Sequence, residues 1–144
     1  MKLVVDANVL FSFFKRDSTT RKLITSFEIF ELSTPSFCIE ELRKHEREIR
    51  KKAKISKAEF EEALEDLGLF VDIVPDEKFK DFGADAKKIS PHLKDAPYVA
   101  LVLWSKSKGY ETAMWSIESR LKELKKHEMK VYTTEELLKL LKLR

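Results

Sequence analysis

One cysteine, three glycines, one asparagine and no glutamine occur in the 144 residues. Cys38 cannot form an internal disulfide, and no second cysteine stands near it to make a zinc or redox pair. Gly68, Gly83 and Gly109 are dispersed, which excludes the glycine-rich loops that cradle phosphates or dinucleotides. No apolar run approaches the roughly 18 residues that cross a bilayer. The opening Met1-Lys-Leu-Val-Val-Asp6 puts charge where a signal peptide carries its apolar segment. The expectation is a cytoplasmic protein that does not enter membranes. His45, His92 and His127 form no pair at metal-ligand spacing, which argues against a histidine-based hydrolase.

What is present points to one globular domain over residues 1–144, long enough to bury a core without staples. With 28 basic and 25 acidic side chains the net charge is only +3, so any site for a polyanion has to be local. Abundant Lys and Glu with few thermolabile residues is the composition of hyperthermophile proteins. In such a chain the lone Asn8, two residues from Asp6, is conspicuous.

Apolar runs and turn residues predict alternating strands and helices. Strands are expected at residues 2–5, 28–32, 71–74, 112–115 and 130–132. Helices are expected at residues 9–14, from Asp17 or Ser18 to Phe27, and from Thr34-Pro35 to about residue 54. Further helices are expected at about 57–67 closing at Gly68, and at 76–89. The last three are expected at 96–106 capped by Asp95, at 116–126, and from the Thr133-Thr-Glu-Glu136 capping box onward. Residues 99–104 are apolar on every face and should lie deep. The Leu-rich end of the chain reads equally as core cover or as a contact between subunits. Such alternation implies parallel pairing and an α/β three-layer sandwich around a central parallel sheet.

Ligands of open parallel sheets bind beyond the carboxyl ends of the strands. Asp6 ends the first strand, Glu118 follows the fourth, and Asp95 opens the apolar helix. In the third helix Cys38, Leu42, His45 and Ile49 form an apolar stripe. At about 100° per residue, Glu41 lies roughly 70° from that stripe and Glu40 roughly 170° away. Glu41 is therefore the acid that can lean over the core edge. Taken singly, each acid has an ordinary reading: a helix cap for Asp95, a first-turn helix acid for Glu118, a flank residue beside His45 for Glu41.

Together they carry a resemblance. Val4-Val-Asp6-Ala-Asn8-Val-Leu10, Thr34-Pro-Ser-Phe-Cys-Ile-Glu-Glu41-Leu-Arg-Lys-His45, Lys94-Asp95-Ala-Pro-Tyr-Val-Ala100 and Trp115-Ser116-Ile-Glu118-Ser-Arg-Leu121 resemble the PIN domain family, and archaeal members most closely. That family comprises small metal-dependent ribonucleases, among them the toxins of many toxin-antitoxin pairs. The resemblance implies that Asp6, Glu41, Asp95 and Glu118 hold one or two divalent cations and are the catalytic residues. A segment that commonly reads Thr-Asn-Asp-x-Asp-Leu in the family reads Ser116-Ile-Glu118-Ser-Arg120-Leu121 here, with a cation at Arg120 where the last acid often sits.

An all-oxygen set favours Mg²⁺ or Mn²⁺ over zinc. Each like-charged pair at about 4 Å costs on the order of 4 kcal/mol at an effective dielectric near 20, which a cation would cancel. By the same argument, neutralising Asp6 or Asp95 should stabilise the metal-free protein. The implied reaction is endoribonuclease hydrolysis of RNA phosphodiester bonds to 5′-phosphate and 3′-hydroxyl ends. Asn8 and Ser116 would support the acids. Lys15, Arg16, Arg43, Lys94 and Arg120 are candidate RNA contacts. Helical spacing argues against a direct bond between Glu118 and Arg120. Partners would be RNA, with a small antitoxin protein or a second copy of the chain as further candidates, in a toxin or an RNA-processing role. Two alternatives remain. One is a catalytically inactive PIN-fold RNA-binding or scaffold protein, in which Arg120 replaces the metal. The other is an aspartyl phosphatase, disfavoured because Asn8 stands where that chemistry needs an acid.

Overall fold

The computed structural model describes residues 1–25 and 30–142. Five strands, β1 (Lys2–Val5), β2 (Glu31–Pro35), β3 (Val71–Val74), β4 (Thr112–Trp115) and β5 (Val131–Tyr132), form one sheet in the order β3-β2-β1-β4-β5. Every pairing is parallel. Helices flank it: α1 (Ala7–Phe11), α2 (Thr19–Ile24), α3 (Ser36–Lys44), α4 (Glu46–Ala53), α5 (Lys57–Phe70), α6 (Gly83–Ile89), α7 (Ala96–Ser107) and α8 (Thr134–Lys142). The architecture is the expected three-layer α/β sandwich. The central strand β1 has Leu3, Val4 and Val5 fully buried, as a strand covered on both faces requires.

Helix α7 packs against β1, β2 and β4 with Tyr98 through Val102 buried, while Leu103 and Trp104, also expected to lie deep, are half-buried. Trp115, Phe13 and Phe14 are core residues, and Leu137, Leu138 and Leu141 of α8 pack on or against the same core. Among the described residues no helix is long and apolar enough to cross a membrane.

Several boundaries differ from the sequence reading, each for a local reason. Thr34 and Pro35 belong to β2 rather than to the next helix. The Thr34 hydroxyl donates to the Val5 carbonyl at 2.8 Å, and Pro35, extended at ψ 152°, takes the N-cap position before Ser36. The helix expected to run to residue 54 breaks at His45 (φ −103°, ψ 19°) into α3 and α4. Gly68 does not end α5, which continues to Phe70; the Val71 amide then bonds to the Leu67 carbonyl as the chain enters β3. The Ser56–Glu59 capping box opens α5 as expected, with bonds of 3.0 and 3.1 Å.

Residues 76–82 form two 3₁₀ turns, leaving only α6 of the helix expected at 76–89. In place of a helix at 116–126 there is a 3₁₀ stretch, Ser119–His127, preceded by an extended Glu118 (φ −80°, ψ 113°). The Thr133–Glu136 box caps α8 as expected. Phe27, Glu28 and Ile29, at the expected end of the second helix and start of the second strand, lie outside the described residues.

Candidate active site

The carboxyl ends of β1 and β4 are neighbours in register, Val5 beside Trp115, and the next residue of each strand leaves the sheet. The Asp6 amide donates to the Trp115 carbonyl at 3.0 Å, which locks Asp6 beside Ser116. The Ser116 hydroxyl donates to Asp6 Oδ2 at 2.6 Å and accepts from the Glu118 amide at 3.0 Å. The Asn8 amide donates to Asp6 Oδ1 at 3.3 Å, and the Asn8 side chain donates to Glu118 Oε1. One asparagine thus joins Asp6 to Glu118, which lies 110 residues beyond Asn8 in sequence.

Asp6 is 7% exposed and Asp95 5%, so both carboxylates have lost most of their hydration. Burial pushes the Asp6 carboxyl above the ordinary aspartate range. The bonds from Ser116 and Asn8 pull it back, and the charges of Asp95 and Glu118 push it up again. Asp95 takes the N-cap position of α7 but makes no capping bond. Its carboxylate instead receives Arg120: Nε to Oδ2 at 3.1 Å and a terminal nitrogen to Oδ1 at 2.9 Å.

The other terminal nitrogen of Arg120 donates to Glu118 Oε2 at 2.9 Å. This overturns the expectation that Glu118 and Arg120 do not meet. That expectation assumed helical spacing, whereas Glu118 is extended and only the residues after it coil.

Asp6, Glu41, Asp95, His45, Lys94 and Tyr98 border one cleft of about 250 Å³. Glu41 is half-buried and Glu40 exposed, the order that helical phase predicts. His45 sits between Glu41 (3.9 Å) and Glu48 (3.7 Å), with the Phe11 ring edge-on to it at 5.5 Å. Glu118 and Lys15 border an adjoining cleft that shares Asn8, Phe11 and Glu48 with the first. Arg16 and Arg43 border neither. They pair with Glu59 (3.7 Å) and Glu61 (2.9 Å) of α5.

Sequence reasoning did not single out Tyr98. It stands one helical turn after Asp95, is 5% exposed, and lies beside the Cys38 thiol in the wall of the cleft. The signal available was its place three residues from Asp95 on one helix face. Burial pushes the Tyr98 hydroxyl far upward and the Cys38 thiol to about 11, so neither is a nucleophile at neutral pH.

In kind, these residues fit a hard divalent cation. All four acids offer oxygen, the donor that such cations prefer. Their arrangement is another matter. Both oxygens of Asp95 are taken by Arg120, and among the described residues no three acidic, histidine or cysteine side chains are grouped as a metal site.

Comparison with known protein families gives one result that bears on this geometry. A family model described as PIN domain matches residues 4–134. No curated protein matches the chain.

Proposed function

Since the chain belongs to the PIN domain family, whose members are generally metal-dependent nucleases, we propose that this cleft hydrolyses phosphodiester bonds of RNA, as an endoribonuclease leaving 5′-phosphate and 3′-hydroxyl ends. The observation that carries the proposal is the surroundings of Asp6: a desolvated carboxylate, oriented by Ser116 and Asn8, facing Asp95 and Glu41 across an open cleft.

Asp6, Glu41, Asp95 and Glu118 would hold Mg²⁺ or Mn²⁺, which supplies Lewis-acid activation of the phosphate and of the attacking water. The rest belongs to the chain itself. Ser116 and Asn8 fix the carboxylate of Asp6 so that it need not reorganise during reaction. Lys94, exposed at the cleft, and Lys15, exposed at the adjoining one, present ammonium groups to the RNA backbone. Apolar Phe11 and Phe37 narrow the cleft between these polar groups.

The test is cleavage of end-labelled single-stranded RNA with Mg²⁺ or Mn²⁺ and with excess EDTA. Cleavage that stops in EDTA and in Asp6→Asn, and that leaves 5′-phosphate ends, supports the reading. Full cleavage in EDTA contradicts it. The same activity serves either a toxin held by a small antitoxin or an RNA-processing enzyme; a short neighbouring reading frame encoding a DNA-binding segment would favour the toxin.

A second reading has an observation of its own. The fork of Arg120 pairs with Asp95 and reaches Glu118, the ion pairing that an inactive RNA-binding PIN protein would use in place of a metal. Calorimetry separates the two, since such a protein binds RNA and takes up no Mn²⁺.

A further inference from the structure

Asp95 is fixed at the start of the buried helix α7, its side chain only 6% exposed, whereas the Arg120 side chain is 41% exposed and reaches in from the surface 3₁₀ stretch. Of the two partners, the arginine is therefore the one free to leave. Its charge does not titrate in the working range of proteins, so a cation that competes for the acids or an anion that competes for the guanidinium is what draws it off.

Resting on the nuclease reading above, we propose that Arg120 is a resident counter-ion: a divalent cation displaces it from Asp95 and Glu118, and the freed guanidinium then takes an RNA phosphate. Both halves follow from the bonds in place. A cation entering beside Asp95 meets a guanidinium already bonded to both of that residue's oxygens, so one positive group must go. The guanidinium fork that grips a carboxylate through two parallel bonds grips a phosphate in the same way, so phosphate is the anion able to draw it off.

Coupling of this kind is reciprocal. If metal entry frees Arg120 for RNA, RNA that captures Arg120 raises the affinity for metal by the same factor. Arg120 is thereby a positioning residue that links occupation of the acids to the presence of substrate. Without a metal, Arg120 offsets one charge of the acidic cluster.

The test titrates Mn²⁺ into the full chain by calorimetry without RNA, for the wild type, Arg120→Ala and Arg120→Lys. Arg120→Ala is expected to bind Mn²⁺ on the order of tenfold more tightly than the wild type. Arg120→Lys should fall between them, because lysine keeps the charge and loses the fork. The Arg120 Nε–H resonance, followed during a Mg²⁺ titration, should shift at the same Mg²⁺ concentration as the Ala96 amide beside Asp95. Stopped-flow anisotropy, read before cleavage, should show Mg²⁺ tightening RNA binding more in the wild type than in Arg120→Ala.

Equal Mn²⁺ affinity in the wild type and Arg120→Ala overturns the inference and leaves the nuclease reading standing. So does an Nε–H signal that stays in place while metal binds, or an equal gain in RNA affinity. Failure of all three proteins to bind Mn²⁺ overturns the metal-dependent reading itself.

Discussion

Asp6 and Asp95 are both buried acids of one cleft, yet the fold treats them oppositely. Asp6 has neutral partners, Ser116 and Asn8, and its carboxyl is pushed upward by burial. A carboxyl whose folded-state pKa exceeds its unfolded value adds stability in full below the unfolded pKa, near 3.8, and that contribution is lost as pH rises through the folded value. Asp6→Asn should therefore melt a few degrees higher than the wild type at pH 7 without metal, with the difference fading below about pH 4. A scan of melting temperature against pH checks this; an unchanged or lower value at pH 7 would show that the charge is not strained. Asp95 has a cation. The repulsion argument from sequence predicted a gain for Asp95→Asn as well, but the two-pronged bond to Arg120 reverses the sign, and a loss of about 1 kcal/mol is expected after allowing for the exposed arginine. Chemical denaturation of the metal-free variant measures it. Asp6 and Asn8 were legible in the sequence because a strand end and a lone amide mark them. The Arg120 fork was not, because it depends on how the backbone leaves β4, and no periodicity reports an extended residue between a strand and a 3₁₀ stretch.

Helical phase was the most informative local signal in α3. It separates adjacent Glu41 and Glu40 into a half-buried cleft residue and an exposed one. Glu41→Gln is expected to reduce RNA cleavage by at least about tenfold, the effect of losing one metal-ordering carboxylate. Glu40→Gln should leave it within about twofold, since surface changes away from such features perturb little. Equal effects in a steady-state assay would remove Glu41 from the site. Phase says nothing about where a helix breaks, and His45 shows why: its backbone departs from helical values where α3 gives way to α4, without proline or glycine to announce it. Gly68 errs the other way. A glycine near the end of an apolar pattern reads as a stop, yet here it lies within α5 at negative φ, with open space where a Cβ would project. Gly68→Ala should accordingly raise stability by about 0.5–1 kcal/mol, read from the denaturation midpoint. A loss would mean that the end of α5 is not helical in solution.

Across the chain, strand order does what no single motif can. Segments at residues 6, 41, 95 and 118 converge because β1 lies between β2 and β4 and α7 crosses beneath them. The alternating pattern of strands and helices made that layering legible, and the rule that ligands gather at the carboxyl ends of parallel strands located the cleft. The pattern named Arg120 as the cation that could stand among the acids, but it could not give which of them Arg120 bonds. Crystals grown with Mn²⁺ and measured at the manganese absorption edge address that pairing most directly. An anomalous peak is expected in the cleft bordered by Asp6 and Asp95, with Arg120 withdrawn from Asp95. A cleft with no anomalous peak at millimolar Mn²⁺, and Arg120 still bonded to both oxygens of Asp95, would contradict that expectation.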